Sequence, residues 1–135
     1  MLAVVFVVDP QPVFILQPSN PSSVVEGRNL ILQWIYNTGG KSILAARFRN
    51  VTGSTVKNVA VRSGNNNASV EAGYENQFGA TITDTHATLT ILAVPRTLHE
   101  EKYELAILFD DFSDLLSTEV KISVLCKYIE LKGYL

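Results

Sequence analysis

Cysteine is nearly absent: Cys126 is the only one among 135 residues, so no disulfide can form within the chain. By that count alone the chain leans towards a reducing compartment, although a secreted domain can dispense with its bridge. Surplus positive charge is also missing. Eleven Lys and Arg against thirteen Asp and Glu leave a net charge of −2, which gives no electrostatic basis for binding nucleic acid or an anionic membrane surface.

Long hydrophobic runs are lacking too. The opening "MLAVVFVVDP" is apolar over residues 1–8, too short for a bilayer that takes about 20 helical residues, and no basic stretch precedes it. Residues 1–12 therefore read either as the remnant of a leader or as a first edge strand. No other segment approaches membrane-spanning length. Membrane attachment would come through an anchor elsewhere in a longer parent chain, with residues 127–135 as the exit towards a following domain.

Catalytic constellations are absent as well. The two histidines, His86 and His99, stand alone, with no cysteine or carboxylate at metal-ligand spacing. There is no glycine-rich phosphate loop and no nucleophile elbow. "FDDFSD" gathers Asp110, Asp111 and Asp114, but calcium takes six to eight oxygens and this loop reads as a solvated acidic turn. The expectation is no enzyme, no catalytic residues, no cofactor and no metal.

What the chain has is β-strand pattern. An apolar fraction of 47% and a charged fraction of 18% suit one folded domain. Runs rich in Val, Ile, Leu, Thr and Tyr recur between Gly, Asn, Ser, Asp and Pro clusters, as in an all-β sandwich or barrel. Strands are expected at 14–17, 23–25, 29–36, 42–49, 55–61, 80–83, 87–92, 102–109 and 118–125. In "ATLTILAV" Ala87, Leu89 and Ile91 share one face; in "TEVKISVL" Val120, Ile122 and Val124 face in while Glu119, Lys121 and Ser123 face out. "AVPRTLHEE" holds room for a helical turn, and "RSGNNNASVEAGYENQFG" is a polar excursion without alternation.

Two segments carry more. "VEGRNLILQW" sets Leu30 and Leu32 three and five residues after Gly27, and Trp34 seven after it. "ATLTILAVPRTLHEEKYEL" sets Leu89, Ile91 and Val94 ahead of Tyr103, with Leu105 two residues beyond. Both resemble immunoglobulin variable-type domains, where the positions of Trp34 and Leu105 hold the cysteines that bridge the two sheets. The resemblance runs from Val13 to Leu125. It implies an all-β, V-type, Greek-key sandwich of about nine strands over residues 13–126, without an intradomain disulfide.

The same resemblance makes Tyr103 a tyrosine corner and Trp34 with Leu105 the pair that replaces the bridge. A disulfide closing such a loop stabilises by about 4 kcal/mol in the chain-entropy model. Burying an indole of roughly 200 Å² contributes up to about 5 kcal/mol, so the exchange is energetically plausible, provided the indole N–H finds an acceptor. Phe48 is the expected inward aromatic of strand C. His99 stands where such domains carry an aspartate, and "FGATIT" offers no arginine, so their usual ion pair is expected to be missing.

Disulfide-free V-type domains are a restricted set. This chain is similar to the N-terminal domains of the carcinoembryonic-antigen adhesion family, and to the first domains of the allorecognition (Alr) receptors of colonial cnidarians. The weak strand C and the missing ion pair favour the latter. Both bind like to like across cells. The resemblance therefore implies an extracellular cell-surface recognition domain whose partner is itself on an opposing cell. A heterophilic receptor domain and a passive spacer are the alternatives.

A homophilic contact would use the outer GFCC′ face: Ala45, Arg47 and Arg49 on strand C, Glu104, Ala106 and Leu108 on strand F, and Glu119 and Lys121 on strand G, with Arg62 near the margin. Arg47 would meet Glu104 of the second copy. Asn50 in "NVT" and Asn67 in "NAS" are possible N-glycosylation acceptors. Cys126 reads as a half-buried thiol at the domain exit or as half of a bridge to a neighbouring domain.

Overall fold

Prolines at positions 18 and 21 interrupt the first extended segment, because proline cannot donate to a strand ladder. The chain uses that break to change sheets. The computed structural model describes residues 11–112 and 115–126. The expectations for Asp114, for residues 1–10 and for residues 127–135 fall outside that range.

Among the described residues ten strands form: β1 (Val13–Leu16), β2 (Ser22–Val25), β3 (Leu30–Asn37), β4 (Ile43–Asn50), β5 (Lys57–Ser63), β6 (Ser69–Val70), β7 (Phe78–Ile82), β8 (His86–Ile91), β9 (Lys102–Phe109) and β10 (Leu115–Leu125). One sheet has the order β1-β3-β8-β7, and the other β2-β10-β9-β4-β5-β6. These are the A-B-E-D and A′-G-F-C-C′-C″ orders of a variable-type immunoglobulin sandwich. β1 pairs with β3 on one sheet while β2 pairs in parallel with β10 on the other. The helical turn expected before strand F is a 3₁₀ turn at Arg96–Leu98.

Most strand ends shift by one or two residues from the sequence expectation, with β5 moved from 55–61 to Lys57–Ser63 and β7 starting at Phe78. β10 starts three residues early, at Leu115, and Ser69–Val70 forms an edge strand inside the polar excursion. The reason for the last is tertiary: Val70 pairs with Ala60 and packs on the core, a partner that local alternation cannot reveal.

The core lies between the sheets. Trp34, Phe48 and Leu105 are fully buried, Trp34 lies 5.5 Å from Phe48 at 43°, and Phe48 is the register partner of Leu105. Where the usual fold places Cys, Trp and Cys on strands B, C and F, this chain places Trp, Phe and Leu. The indole has moved from strand C to strand B. One expectation fails here: Trp34 Nε1 is buried without an acceptor among the described residues, a cost of about 1–3 kcal/mol that offsets part of the burial gain.

Arg62 also corrects the sequence reading. It does not lie on the outer margin but is buried, 4% exposed, with Nε on Gly64 O at 2.7 Å, Nη1 on Ile82 O at 3.3 Å and Nη2 on Asp84 Oδ1 at 2.7 Å. Gly64 follows β5 and Ile82 ends β7, so one side chain ties the two sheets. The usual ion pair is replaced by this one at the opposite end of the sandwich. Beside it the Tyr36 hydroxyl donates to Thr83 O. Burial pushes that phenol far above its usual range, partly opposed by the Arg62 charge and helped by Asp84.

Tyr103 anchors the other end. It is 1% exposed, its ring lies 5.8 Å from Phe78, and it is the cross-strand partner of Asn50. Burial raises this phenol too, with Glu101 adding to the rise and Asn50 opposing it.

Candidate functional site

Strand registers place the outward residues of β4, β9 and β10 in rows. Leu115, Leu108 and Ala45 form one row; Ser117, Ala106, Arg47 and Val61 form the next; Glu119, Glu104, Arg49 and Asn58 form the third; Lys121 stands opposite Lys102 in a fourth. Antiparallel pairing thus gathers the expected set of eight on one sheet face. Two apolar residues that the sequence reading missed join them. Leu115 comes from the longer β10, where "LLSTEVKI" alternates from its first residue. Val61 comes from a change of phase in β5.

Ala45, Arg47, Arg49, Ala106, Leu108 and Leu115 line a groove of about 160 Å³. Small-molecule sites run to about 300 Å³ and more, so this groove fits a side chain from another protein better than a free ligand. Its floor is apolar and its rim basic. Ala106 is 8% exposed and Leu115 is 62% exposed, which makes Leu115 the prominent apolar wall. Leu115 enlarges the dry centre that Leu108 alone supplies among the expected residues.

Charge on this face is not free to pair as expected. Glu104 is bound within its own chain by Arg49, whose Nε donates to Oε1 at 2.8 Å and whose Nη2 also bonds that oxygen. Arg49 and Glu104 are direct cross-strand partners, and the shared row makes this pairing unavoidable. Glu104 is therefore not a free partner for Arg47 of another copy. Glu119 faces Glu104 across β9 and β10 and is exposed. Arg47 is exposed and makes no ion pair among the described residues. Lys121 lies 3.8 Å from Glu100 in its own chain.

The loops between β3 and β4, β5 and β6, β7 and β8, and β9 and β10 cluster at one end. Lys41 and Asp111 join two of them at 3.1 Å, and Phe112 is 71% exposed beside them. Asn67 is exposed at this end and Asn50 is half-buried at the other. His99 Nδ1 accepts the Val124 amide at 3.1 Å, which assigns it to holding β10. Cys126 is a half-exposed free thiol among the described residues. No group of three His, Cys, Asp or Glu side chains could hold a metal ion among the described residues, and no helix there is long and apolar enough to cross a membrane.

No family model and no curated protein matches the chain. Solved structures do. The chain is similar to murine CRIg, with a TM-score of 0.68 at 14% identity over 86% of this chain and 99% of that one. It is similar to a chicken TCR chain, with a TM-score of 0.65 at 16% identity over 83% of this chain and half of that one. A third likeness has a TM-score of 0.59 at 18% identity over 82% of this chain and 98% of that one. That chain belongs to a structure on T-cell specificity and activation by the bacterial superantigen toxic shock syndrome toxin-1. At these identities the likeness establishes the variable-type immunoglobulin fold.

Proposed function

We propose that this disulfide-free variable-type sandwich is an extracellular recognition domain, carried by a cell-surface protein, that binds a second copy of itself through the outer face of β4, β9 and β10. The observation that carries the reading is the groove walled by Leu108 and Leu115 beside an uncompensated Arg47. A two-fold contact is self-complementary when each copy brings a basic group to its partner's acidic one. Arg47 and the exposed Glu119 supply that pair, while Arg49 and Glu104 neutralise each other at home. Buried apolar centre and charged rim are the ordinary anatomy of such an interface. Like-to-like binding between cells, of the kind allorecognition uses, is the biological form this takes.

Sedimentation velocity across a concentration series tests the contact. Leu115→Arg and Arg47→Glu each reduce self-association, whereas Gln33→Glu on the opposite sheet leaves it unchanged. Self-association that ignores all three removes the face from the account. Exposed Phe112 at the loop end favours a second reading, a heterophilic receptor that reads its ligand through the loops. That reading predicts a monomer at every concentration.

A further inference from the structure

We infer that Asn67 is the glycan-bearing residue of this domain, and that Asn50, the other acceptor triplet, stays bare because the fold consumes its side chain. This rests on the extracellular reading only in requiring passage through the secretory route.

The two triplets look equivalent in sequence and are not equivalent in space. Asn50 ends β4 and is half-buried. Its Oδ1 accepts the Thr52 amide at 2.9 Å, and Asn50 is the cross-strand partner of Tyr103, a residue only 1% exposed. A bulky, hydrated group joined to that half-buried side chain has little room there.

The third residue of that triplet is equally committed. Thr52 Oγ1 accepts the Lys102 amide at 2.8 Å, and Val51 N donates to Lys102 O at 2.9 Å. The whole triplet is a latch between the end of β4 and the start of β9.

Asn67 is the opposite case. It is exposed between β5 and β6, and Ser69, the third residue of its triplet, is exposed at the start of β6. β6 is the edge strand of the six-stranded sheet, and edges are surfaces that proteins screen against unwanted pairing. A glycan at Asn67 screens that edge and the loop end around Arg62 and Asp84, which share a surface depression with it. It leaves the outer face of β4, β9 and β10 open.

Lys102 and Tyr103 follow Asn50 by more than fifty residues, so a nascent chain can receive sugar at Asn50 before the latch closes. Such chains cannot close the latch and do not reach the folded pool. The test is therefore made on folded material. The domain is secreted from glycosylating cells behind an added leader, the folded monomer is isolated, and peptide-N-glycosidase treatment in heavy-oxygen water marks each occupied asparagine for mass spectrometry. The expected result is a mark at Asn67 and none at Asn50, with the glycan mass lost in both Asn67→Gln and Ser69→Ala. A folded monomer marked at Asn50, or one marked at neither site, overturns the inference. Because the readout is the mark itself, it stands or falls separately from self-association.

Discussion

Replacing Arg62 with methionine removes a buried guanidinium and keeps most of its stem. Three hydrogen bonds go with it, two to backbone carbonyls and one to Asp84. The Arg62 side chain is 5% exposed and that of Asp84 is 74% exposed, and this asymmetry decides which bonds matter. A pair whose acid stands in water contributes about 0–1 kcal/mol. Charged hydrogen bonds to buried groups contribute about 1.5–3 kcal/mol each. Escaping the cost of burying the guanidinium returns part of the loss.

The net expectation for Arg62→Met is a loss of about 2–4 kcal/mol, and for Asp84→Asn less than about 1 kcal/mol. Urea unfolding measures both, and at this chain length the first corresponds to a Tm fall of roughly 6–16 °C. The Arg62→Met deficit should persist from about 0.1 M to about 1 M salt, because a buried bond is poorly screened. An Asp84→Asn variant as damaged as Arg62→Met would refute the reasoning, since the ion pair rather than the carbonyl bridge would then join the sheets.

Three further predictions concern the core and the face. Trp34→Phe discards an N–H that has no acceptor and so changes stability by less than about 1.5 kcal/mol, whereas Trp34→Ala costs about 3–5 kcal/mol; urea unfolding of both separates packing from polarity. Glu104→Gln loses about 1 kcal/mol because Arg49 is left alone, while Glu119→Gln is neutral or slightly stabilising, by up to about 0.5 kcal/mol, because it faces another acid; equal losses in the two would contradict the pairing. Burial raises the folded-state pKa values of Tyr36 and Tyr103 above the ordinary tyrosine value of about 10. The unfolded chain therefore binds fewer protons above about pH 10, so stability is full below that pH and falls as pH rises beyond it. Denaturant midpoints measured from neutral to alkaline pH should show the fall, and Tyr36→Phe should reduce it.

Alternation made most of the sandwich legible. Ala87, Leu89, Ile91, Val120, Ile122 and Val124 all face the core as their spacing required, and Trp34, Leu105 and Tyr103 are buried where the two matching segments placed them. β5 was not legible in the same way. A register shift beside Phe48 sets Arg49 against Asn58 and Phe48 against Ala60, so Val59 and Ala60 are both buried. Beyond that irregularity the phase inverts: Val61 turns out and Arg62 turns in. A one-residue slip reverses every side chain after it, and no local pattern announces it. The outer face of β4, β9 and β10 was legible as a set of residues because strand identity and alternation suffice for that. Its charge pairing was not, because the Arg49–Glu104 contact depends on the register between strands 55 residues apart.

The central claim is that the face of β4, β9 and β10 binds its own kind, and bead sorting tests it most directly. Beads coated densely with wild-type domain are mixed with differently coloured beads bearing Arg47→Glu, Glu119→Arg or both changes together. Dense display makes weak contacts visible through multivalency. The account predicts that wild-type beads clump and exclude both single variants, and that the double variant, with its charges exchanged, clumps with itself. Wild-type beads that stay dispersed, or that clump equally with every variant, would contradict it.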